Sequence, residues 1–550
     1  MWALLKSLWT LFVDFSGWTS AHGVPQIGAA RNAIVRTVWT VLFLFAFCMF
    51  VYQLLGYLKL FFSYPVSVSL AVNFEARYFP AVTICSGTPY RWDLLDAAGG
   101  PMKDMMTDFK NYEASEFLNA PIVDATGFNK YPTVDNYPIR KRLADLMMMG
   151  IARGWSDATM NTYAYQLIAS ANTNDADSRA LLRDCVFSGV ACDADAWTSY
   201  VDPYYGLCYT FNNGNDTNPP KYVSTRTGPD YGLQMQLATL QEMDNEGRLF
   251  VPNSWLANIR VAVHKHGVYP FVDGYSYAAS TGFTNSFAVK YTRFERKEAP
   301  FGTCTLDGAG FNDYHNGTYT FEGCIRSCIQ DKVTAEVNCA HPRYAAPAGA
   351  TFCSTFAQME AILAWEEANK DKETLYEDCG CEWLCNRTMY SVTAAQASWP
   401  AQMYYPLDCF NETKYDDDTK KRACTNTKKG RFLTVEVYYA LMSYEFIQES
   451  PSYGIQDLVF SLGGTIGLWL GFSMITCVEW ISLLVIMFCL CCTKLAGPEI
   501  SPETKHESEI DTVENWVDKK IAKAERRQAR EGEMYDGPGD MNEPPPAPVS

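Results

Sequence analysis

Glu479 is the only charged residue between Leu458 and Thr493, in the apolar run DLVFSLGGTIGLWLGFSMITCVEWISLLVIMFCLCCT. A carboxylate in such a run is costly in lipid and usually marks an ion pathway. Ahead of it stand Gly463, Gly464, Gly467 and Gly471, followed at once by Phe472 and Ser473. Glycine frees the backbone and lets chains approach closely. Unwound backbone at membrane depth is tolerated only inside protein or along a water-filled path. The chemistry on offer is cation handling. Carbonyl and hydroxyl oxygens at Gly471, Phe472 and Ser473 can face a partly dehydrated ion, with Glu479 as a cation-favouring charge beyond them. The same residues equally suit a tilted anchor with a glycine packing face and a satisfied glutamate. No P-loop, G-x-S-x-G, H-E-x-x-H or recognisable carboxylate pair occurs, so neither an enzyme nor a cofactor is expected.

These residues need an element to carry them. The apolar run exceeds the roughly 20 residues that span a hydrocarbon core in a helix, so it must tilt, bend or break. A second uncharged run, Thr37 to Leu58, reads as a first transmembrane helix. Lys6, Arg31 and Arg36 precede it and Lys494 follows the later run, so the positive-inside rule puts both termini in the cytosol. The expected division is 1–36, a cytosolic segment; 37–62, the first membrane helix; 63–456, an extracellular domain; 457–493, the second membrane helix; and 494–550, a cytosolic tail. Residues 1–36 suggest an amphipathic helix at the inner membrane face, with His22-Gly23 as a turn. The tail is charged and Pro-rich, with one short helix expected near 513–530. A formal net charge of -17 argues against nucleic acid as a partner and suits a surface that gathers cations.

Between the two runs lie fourteen of the nineteen cysteines, and also every N-x-S/T acceptor: Asn215, Asn316, Asn386 and Asn411. Such density in the segment fits an oxidising compartment and a disulfide framework. No C-x-x-C occurs there, so no metal site is expected. Cys324 and Cys328 share one face of a helix by their i, i+4 spacing, and Cys381 and Cys385 repeat that spacing with Cys379 just before. Two facing helices stapled by bridges is one reading, and simple stabilisation of a secreted-type fold is the other. Arg431 to Phe446 and Phe79 to Cys85 read as strands, and a central sheet joined to both membrane helices follows from their positions. The Met-rich stretch Leu143 to Ala152 fits either core filler or a binding surface.

Taken together, these motifs resemble the degenerin/epithelial sodium channel superfamily along almost the whole chain. His22-Gly23 precedes the first helix, and Tyr64-Pro65 and FPAVTIC follow it. GLCYTFN at 206–212, PFGTC at 300–304 with Phe301 in a tryptophan place, and CNRT at 385–388 come next. GLWLGFSMITCVE at 467–479 closes the series with Gly471-Phe472-Ser473 in the selectivity position.

The resemblance implies an α+β membrane protein with two transmembrane helices and a large disulfide-rich ectodomain, a palm β-sheet with helical finger and thumb. It implies a homotrimer, or a trimer with related subunits, in the plasma membrane, passing sodium ions and blocked by amiloride. By alignment it implies the pairs Cys85–Cys208, Cys185–Cys192, Cys304–Cys385, Cys324–Cys381, Cys328–Cys379 and Cys339–Cys353, with Cys409–Cys424 added in this subgroup. Ser461, Gly463 and Gly464 would form the gate, His22-Gly23 would fold under the pore, and Tyr64 with Phe301 would couple ectodomain to helices. Pro65, Leu70-Ala71 and Ala440 stand where acid-sensing members carry titratable groups. Together with the acidic, aromatic-rich composition, this favours an extracellular neuropeptide of the FMRFamide type as agonist. Proton-gated, mechanically gated and constitutive members are the alternatives within the superfamily. An ATP-gated two-helix channel and an anchored adhesion protein are the alternatives outside it.

Overall fold

Period-two burial builds the larger of two β-sheets. In Phe432–Tyr439 the residues Leu433, Val435, Val437 and Tyr439 are buried, while their neighbours are half-exposed. Each fully buried side chain of this kind contributes about 1.5–3 kcal/mol. The structure, a computed structural model, describes residues 2–107, 132–168, 180–214, 218–239, 256–371, 374–406, 409 and 417–496. It divides into two units, 63–454 and the remainder, 1–62 with 455–550.

Within the first unit the large sheet has eight strands. Its order is Val66–Phe74, Ser443–Pro451, Phe283–Glu295, Phe432–Tyr439, Leu233–Ala238, Leu182–Phe187 and Val190–Ala191, with Asn386–Ser398 also paired to Phe283–Glu295. A five-stranded sheet runs Ser276–Ser280, Asn258–His264, Ala81–Ser86, Gly206–Phe211 and Trp197–Asp202. One core joins both sheets, through Phe79, Ile84, Phe187, Phe211, Phe287 and Tyr439.

The eight-stranded sheet leads in the chain directly to both apolar segments, as expected, but one strand expected in it lies elsewhere. Ala81–Ser86, the strand of the FPAVTIC motif, is buried on both faces and belongs to the five-stranded sheet. The strand that follows the first apolar helix in the chain and pairs with Ser443–Pro451 is Val66–Phe74, and it is exposed throughout. Its sequence VSVSLAVNF alternates large apolar with small residues, a period-two strand signal that the reading of the sequence passed over, although its burial does not alternate. Arg431 to Phe446 is also not one strand. A helix, Asp418–Arg431, ends at its start, and residues 440–442 separate two strands.

Helices pack beside the sheets. Leu143, Leu146 and Met149 of Pro132–Arg153 meet Ile325, Ile329 and Val333 of Phe321–Val337, and Met359, Ile362 and Trp365 of Phe356–Asn369. Met148, fully buried, faces a third cluster with Tyr90 and Leu95. The methionine stretch is therefore core filler. Thr320 caps Phe321–Val337 by accepting from Gly323 N at 2.9 Å, and Thr355 with Gln358 forms a capping box.

Seven disulfides join Cys85–Cys208, Cys185–Cys192, Cys304–Cys385, Cys324–Cys381, Cys328–Cys379, Cys339–Cys353 and Cys409–Cys424. These coincide with the pairs the resemblance implies, but the geometry is not two facing helices. Cys324 and Cys328 lie on a helix, whereas Cys379 and Cys381 lie beyond the Thr374–Glu377 turn of helix, on either side of Gly380. A four-residue helical rise is about 6 Å, and two residues of open chain can span about 7 Å, so the two spacings match. Non-reducing peptide mapping of the full chain should find these seven pairs and no free thiol among the fourteen cysteines. A free thiol at Cys324 or Cys379 would overturn the ladder.

In the second unit, Trp2–Trp18 and Val24–Ala29 precede the helix Ala33–Phe62, which is long and apolar enough to cross a membrane. Ile455–Leu470 and Met474–Ala496 follow. They pass the same test only as a pair, bent by 78° at their break. The helix expected in the tail near 513–530 lies outside the described residues.

Candidate functional site

The break between the last two helices falls at Gly471, Phe472 and Ser473, whereas Gly463, Gly464 and Gly467 remain helical. Gly471 has a φ of +66°, the left-handed region that glycine enters freely. Ser473 then starts the next helix. Its Oγ accepts from Thr476 N at 3.3 Å, and Thr476 Oγ1 accepts from Ser473 N at 3.1 Å. This reciprocal cap satisfies backbone donors that a helix start leaves free. The cap engages the serine side chain, and the Ser473 carbonyl accepts from Cys477 N at 3.1 Å.

The N-terminal segment packs onto this break. His22 N donates to Leu470 O at 2.9 Å. A Cβ built on Gly471 would lie 2.2 Å from His22 Cγ, so the imidazole fills the space a side chain would need. Gly23, at φ +85°, turns the chain into Val24–Ala29, against the ring of Phe43. Upstream, the Phe15 ring meets Trp480 edge-on at 5.0 Å. The His-Gly turn is thus a wedge under the bent pair.

Glu479 is held by the same segment. Its Oε2 accepts from Ser20 N at 2.8 Å, Thr19 Oγ1 at 3.1 Å and Ser20 Oγ at 3.1 Å. Ser20 Oγ also pairs with Thr476 Oγ1. Thr476 therefore links the helix cap at the break to the segment that binds Glu479. On the other side, Trp469 Nε1 donates to Gln53 Oε1 at 3.0 Å and fixes Ile455–Leu470 against Ala33–Phe62.

Not every residue singled out in the sequence gathers here. Gly463 and Gly464 would meet nothing within 4 Å if given a Cβ, and they leave a bare strip on the helix. Ser461 accepts from Thr465 Oγ1 on that helix at 2.6 Å. Tyr64 and Phe301 meet in the disulfide-rich unit, edge-on at 5.3 Å. Tyr64 has a φ of +47°, a strained value for a residue with a Cβ, which its surroundings must hold. Asn316 and Asn386 are exposed, while Asn215 and Asn411 lie outside the described residues. No group of three or more metal-ligating side chains occurs among the described residues.

The sequence reading missed Thr19, Ser20 and Thr476. Ser473-x-x-Thr476 before an apolar run is a cap-like spacing that could have been read. Nothing local pairs Thr19 and Ser20 with a glutamate some 460 residues away.

A family model described as amiloride-sensitive sodium channel matches residues 15–483. The degenerin-like protein asic-2 of Caenorhabditis elegans is 29% identical over 545 residues, covering 96% of this chain and 95% of that protein. Degenerin mec-4 of Caenorhabditis briggsae is 34% identical over 310 residues, which span 56% of this chain and 38% of mec-4. The epithelial sodium channel subunit alpha of Neoceratodus forsteri is 26% identical over 529 residues, 85% of this chain and 78% of the subunit.

Proposed function

Because the chain belongs to the amiloride-sensitive sodium channel family, which includes the degenerins and epithelial sodium channels, we propose that it is a sodium-preferring cation channel of the plasma membrane. Ala33–Phe62 and the bent pair at 455–496 are its two spans, both termini are cytosolic, and three copies surround the ion path. The observation that carries this reading is the break at Gly471–Ser473, braced from beneath by His22. A simple anchor has no need of an unwound turn at membrane depth. In the trimer, three such turns would present carbonyl oxygens to a partly dehydrated sodium ion, and amiloride would block the same path. Gly463 and Gly464, bare of neighbours within the chain, allow three helices to close on one another above it. Tyr64 on Phe301 passes ectodomain movement toward the helices.

The stimulus in this reading is a short extracellular peptide of the FMRFamide type. Its support is the loss of acid-sensing groups. Leu70 and Ala71 lie on the exposed edge strand, opposite Ile447 and Phe446. Burial pushes His264 down to about 4, where Thr83 and the Lys265 carbonyl hold its ring, and burial also lowers His266 and His341. A histidine with a lowered folded value favours the neutral form, so the stability it lends is present above its unfolded value and is lost as pH falls through the folded one. For His264 that window runs from about 6.5 down to about 4, and acid there loosens the fold before it could supply a gating charge.

Voltage clamp of cells expressing this chain alone tests the proposal. Amidated short peptides should evoke an amiloride-blocked sodium current. A step from about pH 7.4 to about 5 alone should leave the channel shut. A large current evoked by protons alone would restore acid gating. Surface-expressed chain with no sodium current at rest, in acid, under stretch or with any peptide would remove the channel reading.

A further inference from the structure

A cavity of about 520 Å3 opens in the disulfide-rich unit, beside the start of Phe321–Val337 and the strand Asn386–Ser398. Its walls are largely aromatic and apolar, among them Phe271, Tyr277, Phe321, Trp383 and Met389. Trp383 is 40% and Met389 44% exposed, so the cavity can be reached from solvent. Phe321 stacks on Trp383 at 4.3 Å and stiffens one wall.

Two cations line this cavity, Lys265, which is exposed, and Arg387, which is half-buried. The Arg387 guanidinium carbon lies 4.5 Å from the Trp383 ring centre and 4.6 Å from that of Phe294, its antiparallel partner. Its Nε is buried without a hydrogen-bond partner. Among the described residues no carboxylate pairs with it. Burial and the neighbouring Arg296 both lower its proton affinity, with no acid to offset them. Glu322, an acid on the cavity wall, is taken by Arg326 Nε at 2.7 Å. Arg296 turns to Glu449 instead. Aromatic faces replace part of the hydration of a guanidinium, yet its N–H donors lie in its own plane and need acceptors. A carboxylate matches that fork with two parallel hydrogen bonds.

We propose that this cavity binds an amphipathic carboxylate, its apolar body against Phe271, Tyr277 and Trp383 and its carboxylate on Arg387. An amine would meet an unpaired cation, and a phosphate would leave most of its oxygens against apolar walls. A long-chain fatty acid from the membrane and a water-soluble aromatic acid share this chemistry.

Photolabelling of the full chain in lipid nanodiscs tests the site. The probes are a diazirine-bearing dodecanoate, the matching alcohol and amine, and a diazirine-bearing 4-phenylbutanoate, each followed by peptide mapping. At least one acid should label the 383–389 segment about tenfold more than the alcohol, the worth of a charge-assisted hydrogen bond. The amine should label least. Success of the fatty probe alone assigns a membrane source, and success of the aryl probe alone an aqueous one. Arg387→Gln, which keeps the Asn386-x-Thr388 acceptor, should bring the acid down to the alcohol's level, and Arg387→Lys should fall between. Equal labelling by acid and alcohol, labelling by neither acid, or labelling unchanged in Arg387→Gln overturns the proposal. If Arg387→Gln does not reach the surface, competition on the unaltered chain decides: unlabelled dodecanol competing as well as dodecanoate also overturns it.

Discussion

Gly471→Ala should remove most of the sodium current while the chain still reaches the cell surface. Two costs act at this one position. An L-residue in the left-handed region costs about 1–2 kcal/mol, and Gly471 sits at φ +66°. Added to this is the imidazole of His22, whose Cγ would lie 2.2 Å from the new methyl carbon. Either the turn at the break changes, or the His-Gly wedge leaves it. Each 1.4 kcal/mol is a factor of ten in population, so conducting channels should fall by about tenfold or more. His22→Ala in the same chain removes the clash but not the backbone cost. The double variant should therefore recover part of the current, and its effect should be smaller than the two single effects combined. Whole-cell current together with surface labelling reads this directly. Normal conductance and ion preference in Gly471→Ala would show that neither the turn nor the wedge shapes the ion path.

The next largest effect is expected at Glu479, where two roles can be separated by chemistry. A ring of free carboxylates would depend on charge alone. A carboxylate bound by Ser20 N, Thr19 Oγ1 and Ser20 Oγ depends on reach as well. Glu479→Asp keeps the charge and withdraws it by one methylene. It should lower the current severalfold if the hydrogen bonds matter. Glu479→Gln keeps the shape and one acceptor oxygen. It should lower conductance and weaken discrimination between cations and anions, with the chain still at the surface. Glu479→Ala should be the most severe of the three. Ser20→Ala should reproduce part of the Glu479→Asp effect and add little to it, because the two share one contact. Single-channel conductance and reversal potentials distinguish the cases. If Glu479→Asp is indistinguishable from the unaltered chain while Glu479→Gln loses conductance, charge alone acts there and the contact with Thr19 and Ser20 is incidental.

Much of the architecture is written locally. The apolar run 37–58 contains its own signal for a membrane helix, and Gly471 next to Phe472-Ser473 marks where the later run breaks. Alternation in Phe432–Tyr439 is enough to place its inward face. Cysteine content and number called for a disulfide framework, although spacing alone left the partners open. Tertiary structure decided what local pattern does not encode. Val66–Phe74 alternates in its sequence, VSVSLAVNF, but which strand supplies its hydrogen bonds, Ser443–Pro451 from nearly four hundred residues away, is not written there. Cys379 and Cys381 match a helical pair from a loop, since two residues of open chain reach as far as four of helix.

The same division holds at the site. Residue types identified Gly471, Ser473 and Glu479 as the groups with chemistry to offer, and the family resemblance added His22. Composition and spacing say what a side chain can do, but only its neighbours fix what it is bound to. Folding spent the Ser473 hydroxyl on a helix cap, placed the His22 ring where a Gly471 side chain would be, and gave Glu479 to Thr19 and Ser20. Such pairings depend on which chain segments meet in space. A hydrogen bond acts over about 3 Å, whereas the partners here lie at opposite ends of the chain.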